Sequence, residues 1–165
     1  MPTTSTEPHT GVPGDAGATS IDARGPQFTA AVTAVVLVAV LATPTPVATI
    51  LIAVQALLFA IGALRGVQHT PTAWAFRTWV RPRLTGVAEL EDARPPRFAQ
   101  LVGLAFALVA LAGFTTGLTL LGLVATGFAL VAALLNAVFR FCLGCEMYLL
   151  LDRATRGRAG SVLRA

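Results

Sequence analysis

Phe141-Cys142-Leu143-Gly144-Cys145-Glu146 is the one constellation in this chain of 165 residues whose residue types and spacing carry chemistry. Two thiols separated by two residues reach each other, so one can resolve a mixed disulfide formed by the other, and the same spacing supplies half of a tetrahedral zinc site. Three readings of Cys142 and Cys145 stay open at this point. They are a reversible dithiol, a metal half-site completed by a second copy or a partner, and two unreactive membrane cysteines. Cys142 follows an apolar helical run, whose C-terminal end is the wrong pole for a thiolate. A helix break at Gly144 would open a new amphipathic segment over residues 147–158 with Cys145 at its start, which makes Cys145 the expected nucleophile, although the adjacent Glu146 opposes that. If the helix runs straight through instead, both cysteines share a face and Arg140 points to nearly the opposite side.

The elements that must hold this pair are two uncharged stretches, residues 25–64 and 98–139. As a single helix each would run about 60 Å, roughly twice the hydrocarbon core of a bilayer, so each must fold back on itself. Thr43-Pro44-Thr45-Pro46 and Gly113-Phe114-Thr115-Thr116-Gly117 are poor helix interiors and good turns. The expected fold is therefore an all-α integral membrane domain over residues 21–152, with four spans at about 27–42, 47–64, 98–112 and 118–141 forming two helical hairpins. Residues 1–20, rich in Thr, Pro, Gly and Ser, read as a disordered cytoplasmic tail, and residues 153–165 as a basic cytoplasmic tail. Gly103, Ala107 and Ala110 on the third span, and Gly122, Gly127 and Ala132 on the fourth, suit close helix packing. Gln55, Gln100 and Asn136 are polar groups in or near spans that should point toward neighbouring helices.

An apolar content of 55% excludes an ordinary soluble enzyme. The chain's basic character comes from twelve arginines, of which six lie in residues 65–97 and five in residues 140–165, while both hairpin turns are uncharged. That segregation is the positive-inside pattern and argues against a nucleic-acid surface. It expects a multi-pass protein of the cell membrane with both termini cytoplasmic. In a cytoplasmic setting a permanent disulfide staple does not persist. Neither uncharged stretch holds an ionisable side chain, which disfavours ion-coupled transport. Trp74, Phe76 and Trp79 beside Arg77, Arg81 and Arg83 suit a segment in the headgroup layer with its rings inward. Glu89, Glu91 and Asp92 are read as pairing locally with neighbouring arginines, and His69 is assigned no role.

Asp22-Ala23-Arg24-Gly25-Pro26-Gln27-Phe28 and Asp92-Ala93-Arg94-Pro95-Pro96-Arg97-Phe98 agree at five of seven positions with an offset of seventy. Both would start spans from the same side, so the match implies a parallel internal repeat about an axis along the membrane normal. At the same offset Cys142 and Cys145 correspond to Thr72 and Ala75.

The stretch from Glu91 to Gln100, together with Leu134-Leu135-Asn136-Ala137-Val138-Phe139 and Phe141-Cys142-Leu143-Gly144-Cys145-Glu146-Met147-Tyr148, resembles two blocks of a bacterial, mostly actinobacterial, four-span membrane family filed as a domain of unknown function. The resemblance covers about residues 20–152. Members of that family often carry Gly where this chain has Arg140. The resemblance implies thiol or sulfur handling, with a thioredoxin-like or sulfurtransferase protein as partner. Two classes of function remain in view. One is a thiol or sulfur redox partner acting through Cys142 and Cys145 at the cytoplasmic side. The other is a non-catalytic scaffold or small transporter subunit, homo-oligomeric or not, in which the pair is structural or half of a shared metal site. No quinone, flavin or haem motif stands in the sequence, and beyond the lipid bilayer no cofactor or nucleic-acid partner is implied.

Overall fold

Proline at the first turn of a helix costs nothing, because the amide it lacks has no intrahelical acceptor there. This explains why the first and third long helices begin earlier than their apolar runs. In the computed structural model, which describes residues 20–85 and 90–162, α1 spans Arg24–Ala42 and α4 spans Arg94–Thr115, so Pro26, Pro95 and Pro96 all fall in first turns. The carboxylate of Asp22 accepts from the Arg24 backbone N–H (3.1 Å), and that of Asp92 from the Arg94 N–H (2.9 Å). Each acid thus meets one of the free amides at its helix start, at the positive pole. Asp92 was expected to pair with arginine side chains. Its carboxylate meets the backbone at the start of α4, and Glu89 lies outside the described residues.

The helices that complete the two hairpins are α2, Thr45–Arg65, and α5, Thr119–Phe139. All four are long and apolar enough to cross a membrane. At 19 residues α1 spans about 28 Å, so it is not the short span its apolar run suggested. The first reversal needs little more than Thr43 and Pro44. The second lies at Thr116, Gly117 and Leu118, with Gly117 at φ 80°. Gly113, expected in that turn, is helical. A Cβ on it would lie 2.5 Å from the Gly122 nitrogen of α5, so it is a close-approach residue between helices.

Packing runs across the hairpins more than within the first one. α1 lies chiefly on α5, and α2 on α4, with α4 and α5 also in extensive contact. Leu37, Val40, Ile52, Ala107 and Ala110 are fully or almost fully buried between them, whereas Ile50 and Leu120 on the outer faces are 65% and 75% exposed. Gln55 is buried and donates to Thr33 Oγ1 across to α1 (3.5 Å), as a polar group in a span should. Gly103 receives the Phe59 ring, and Gly122 the Phe114 ring, but nothing approaches Gly127.

At the end where α1 and α4 start and α2 and α5 finish, two short strands, β1 (Ser20–Asp22) and β2 (Leu90–Asp92), pair antiparallel with Ile21 opposite Glu91. Gln27 Nε2 reaches from α1 to the Ala137 carbonyl of α5 (2.9 Å). In the other half Arg97 reaches from α4 to the Ala63 and Leu64 carbonyls of α2 (2.6 and 2.8 Å). Each contact satisfies carbonyls in the last turn of the helix it touches. A short helix α3, Pro71–Ala75, continues through a π turn at Phe76–Val80. Phe76 is buried against Phe28, ring centroids 5.8 Å apart, while Trp74 and Trp79 are exposed. The three rings expected together in the headgroup layer are therefore divided. Phe76 belongs to the protein interior and only the tryptophans remain outside.

The last helix, α6, spans Leu143–Val162 and lies against α4. It takes in the amphipathic segment expected over 147–158 and continues into the expected basic tail. Phe98 meets Tyr148 at 5.8 Å, much as Phe28 meets Phe76.

Candidate functional site: a cysteine pair at a helix start

The break before the cysteines falls at Arg140, not at Gly144. Arg140 adopts φ 57°, the left-handed conformation that commonly ends helices and that glycine adopts most readily. Its backbone N–H returns to the Asn136 carbonyl (3.1 Å) and that of Phe141 to the Leu135 carbonyl (3.2 Å). The chain then restarts as α6 at Leu143, with Glu146 N–H on the Cys142 carbonyl (3.0 Å). Cys142 therefore stands at the N-cap of α6 and Cys145 in its first turn. The Cys145 backbone N–H donates to Cys142 Sγ (3.3 Å), the bond an N-cap side chain makes.

This overturns the electrostatic expectation. Cys142 does not meet the negative end of α5, because the left-handed residue turns the chain away before it. Its sulfur faces the amide pole of the next helix, where negative charge is stabilised. Cys145, expected to profit from a break at Gly144, is one turn inside. Gly144 has another task. A Cβ there would come within 2.6 Å of Ala99 Cα, so its bare backbone lets α6 lie against α4.

Cys142 and Cys145 are joined as a disulfide with Cα atoms 5.2 Å apart, and both residues are half-buried. Two adjoining cavities meet at Cys142, Asn136, Pro26 and Pro96. On one side a polar cavity of about 470 Å³ includes both cysteines together with Arg24, Glu91, Asp92, Arg140 and Glu146. On the other an apolar cavity of about 330 Å³ enters the helix bundle and includes Cys142 but not Cys145. Arg140 lines the same polar cavity as both cysteines. The expectation that it faces away required an unbroken helix, and the turn at Arg140 itself removes that condition. Among the described residues no group of three or more His, Cys, Asp and Glu gathers as a metal site.

Sequence reasoning found the sulfurs but missed Arg24, Glu91 and Asp92 as their neighbours. The signal was present in the repeated Asp-Ala-Arg sequence, since the β1–β2 pairing draws both copies to the cysteine end. His69 Nδ1 lies 2.8 Å from the Arg65 carbonyl and lines neither cavity.

The same interaction as the Cys142 cap occurs in the first half. Thr70 Oγ1 accepts from the Ala73 N–H at the start of α3 (3.2 Å). In this role Cys142 and Cys145 correspond to Thr70 and Ala73, two residues away from the Thr72 and Ala75 expected from a constant offset. The offset is seventy where α1 and α4 begin and seventy-two where α3 and α6 begin, because the two halves differ in connection length.

No curated protein and no solved structure matches this chain significantly. The family model described as domain of unknown function DUF4395 matches residues 21–153, and the chain belongs to that family.

Proposed function

We propose that this protein is a multi-pass component of the cell membrane that exchanges electrons with a thioredoxin-like protein through Cys142 and Cys145, at the arginine-rich, cytoplasmic end of a duplicated helical hairpin. The carrying observation is the position of Cys142 at the N-cap of α6 with the Cys145 N–H on its sulfur. That arrangement stabilises a departing thiolate. A partner thiolate entering the polar cavity attacks Cys145 Sγ. The S–S bond breaks, and its electron pair leaves on Cys142 Sγ. The partner's second thiolate then attacks its own sulfur in the mixed disulfide and releases Cys145. The partner is oxidised by two electrons to a disulfide, the membrane pair is reduced to a dithiol, and the two thiol protons pass from one to the other.

Duplication is supported by features in both halves: the matched Asp22 and Asp92 bonds, the Gln27 and Arg97 contacts, the capped starts of α3 and α6, and the crossed packing of α1 on α5 and α4 on α2. Orientation is supported by the arginines, which cluster at the cysteine end while both opposite turns carry no charge.

Thiol trapping in intact cells tests the reading, with a mass-shifting alkylating reagent applied before and after an oxidant. Native protein should shift from two labels to none and return, and Cys142→Ser should trap a mixed disulfide with the partner through Cys145. Two labels under every condition would overturn the exchange. Protection reversed by a chelator instead of a reductant would move the pair to a metal site. Reporter fusions active only outside the membrane should give signal at Thr45 and Thr116 and none after Ala165.

A further inference from the structure

The apolar cavity behind Cys142 has no task in thiol exchange with a water-side protein. It lies between α1, α4, α5 and α6 and runs along α4 from Pro96 to Phe106, ten residues or about 15 Å, which is half the depth of a bilayer core. Its wall is mostly aliphatic and aromatic. Phe128 and Val131 line it and are also 63% and 55% exposed, so the cavity wall is continuous with the outer face of the bundle. Asn136 also lines it, at the edge it shares with the polar cavity, and its side chain makes no hydrogen bond to any described residue, whereas the Gln100 carboxamide packs against Gly62 of α2. A polar amide at the head of an apolar space in a membrane suits a ligand with an acceptor atom, which a bare hydrocarbon chain does not have. The volume of about 330 Å³ is within the range of small-molecule sites.

Resting on the thiol-exchange reading, we infer that this cavity binds the ring of a lipid-soluble quinone, which takes the two electrons of the Cys142–Cys145 dithiol. Three features converge on this class of molecule. The cavity wall suits an apolar ring with an isoprenoid tail leading to lipid. The Asn136 carboxamide suits one of its carbonyl oxygens. A quinone accepts two electrons and two protons, the yield of one dithiol. Cys142 is the residue that reacts, because it lines both cavities, whereas Cys145 lines only the polar one. The Cys142 thiolate adds to a ring carbon. The Cys145 thiolate then attacks Cys142 Sγ, the S–S bond forms as the C–S bond breaks, and the electron pair leaves on the ring. With the two thiol protons the quinone departs as the quinol. The protein thereby conducts electrons from thiols in water to a carrier in the bilayer, with Cys142 as the crossing point.

The test uses the full chain in lipid nanodiscs, reduced with dithiothreitol, desalted, and mixed with a benzoquinone bearing one isoprene unit. One quinol should appear per protein as two alkylatable thiols disappear. Ala132→Phe, which fills the cavity wall, should slow quinol formation at least tenfold, and Asn136→Leu should raise the quinone concentration needed for half-maximal rate at least fivefold. Equal rates in native protein and both variants would overturn the inference. Should the variants fail to fold, a photoreactive azidoquinone on native protein decides. Labelling of the α4, α5 and α6 wall that excess quinone displaces supports the site, and undisplaced labelling confined to lipid-facing residues overturns it. The two readings fail separately. A pair that cycles with thioredoxin but consumes no quinone removes only this inference, and a pair that thioredoxin cannot reduce removes the exchange itself.

Discussion

The turn that leads into α3 and the turn that leads into α6 both open on a positive-φ residue and close on a side-chain cap, with different residues in each place. Gly66 at φ 99° follows α2, and Arg140 at φ 57° follows α5. Thr70 caps α3 through a hydroxyl, and Cys142 caps α6 through sulfur. Two residues beyond the caps, Thr72 accepts a hydrogen bond from Thr29 of α1 (3.2 Å), whereas Gly144 lies directly on Ala99 of α4. In the first half a chain of hydroxyls holds the turn, since Thr70 also donates to the Val67 carbonyl (2.8 Å) and is buried. In the second half the hydroxyls are gone and a sulfur occupies the cap. The cap geometry serves stability in one turn. In the other the same geometry places negative charge tolerance where a thiol can use it.

The largest effect is expected where the second turn departs most from the first. Gly144→Leu should cost about 3 kcal/mol by driving a side chain into Ala99, seen as a lower detergent unfolding midpoint, and Thr72→Leu should cost much less. If the two cost the same, the close approach of α6 to α4 is not what holds the cysteine turn. Next comes the reversal itself. Gly66→Ala should lose about 2 kcal/mol, because φ 99° with ψ 149° is backbone that only glycine adopts readily. Arg140→Ala should lose almost nothing in the same unfolding measurement, since one non-glycine side chain replaces another. Removing the hydroxyl cap with Thr70→Ala should cost about 1 kcal/mol, and Thr70→Ser should restore most of it. A full loss in the Ser variant would mean that the Thr70 methyl packing, not the cap, carries the effect. The last change is a gain. Arg140→Gly should stabilise the protein by roughly 0.5–1 kcal/mol by relieving the left-handed arginine, and an unchanged or lowered midpoint would show that contacts of Arg140 in the polar cavity outweigh the backbone term.

Much of the scaffold was legible because charge and proline are blunt signals. Forty uncharged residues cannot form one span, and Pro44 and Gly117 stand where reversals must occur. Gly113 was misread because a glycine near a turn and a glycine under a helix crossing look alike until the opposite helix supplies Gly122. The cysteine site was legible in its atoms and not in its polarity. The sequence offered a glycine between the cysteines as the natural helix break, but a left-handed arginine ended the helix two residues before Cys142, and this reversed the helix pole that the sulfur meets. Glycine is the residue such a conformation favours, so an arginine at the break concealed it. The cavities were not legible at all. They arise from four helices meeting, and no local pattern in any one of them encodes the space left between.

The crossed packing of α1 on α5 governs how the chain is made as well as how it rests. When α1 and α2 have entered the membrane, the helix that α1 chiefly covers has not yet been synthesised. From Ala42 to Phe139 the ribosome adds nearly a hundred residues, roughly 5–20 s at common elongation rates. During that interval the first hairpin waits in lipid, held by the Gln55–Thr33 bond and by the limited contact between α1 and α2. The strand at Ser20–Asp22 waits likewise for its partner at Leu90–Asp92. Assembly is therefore late, and it finishes at the same end of the molecule where the two cysteines lie.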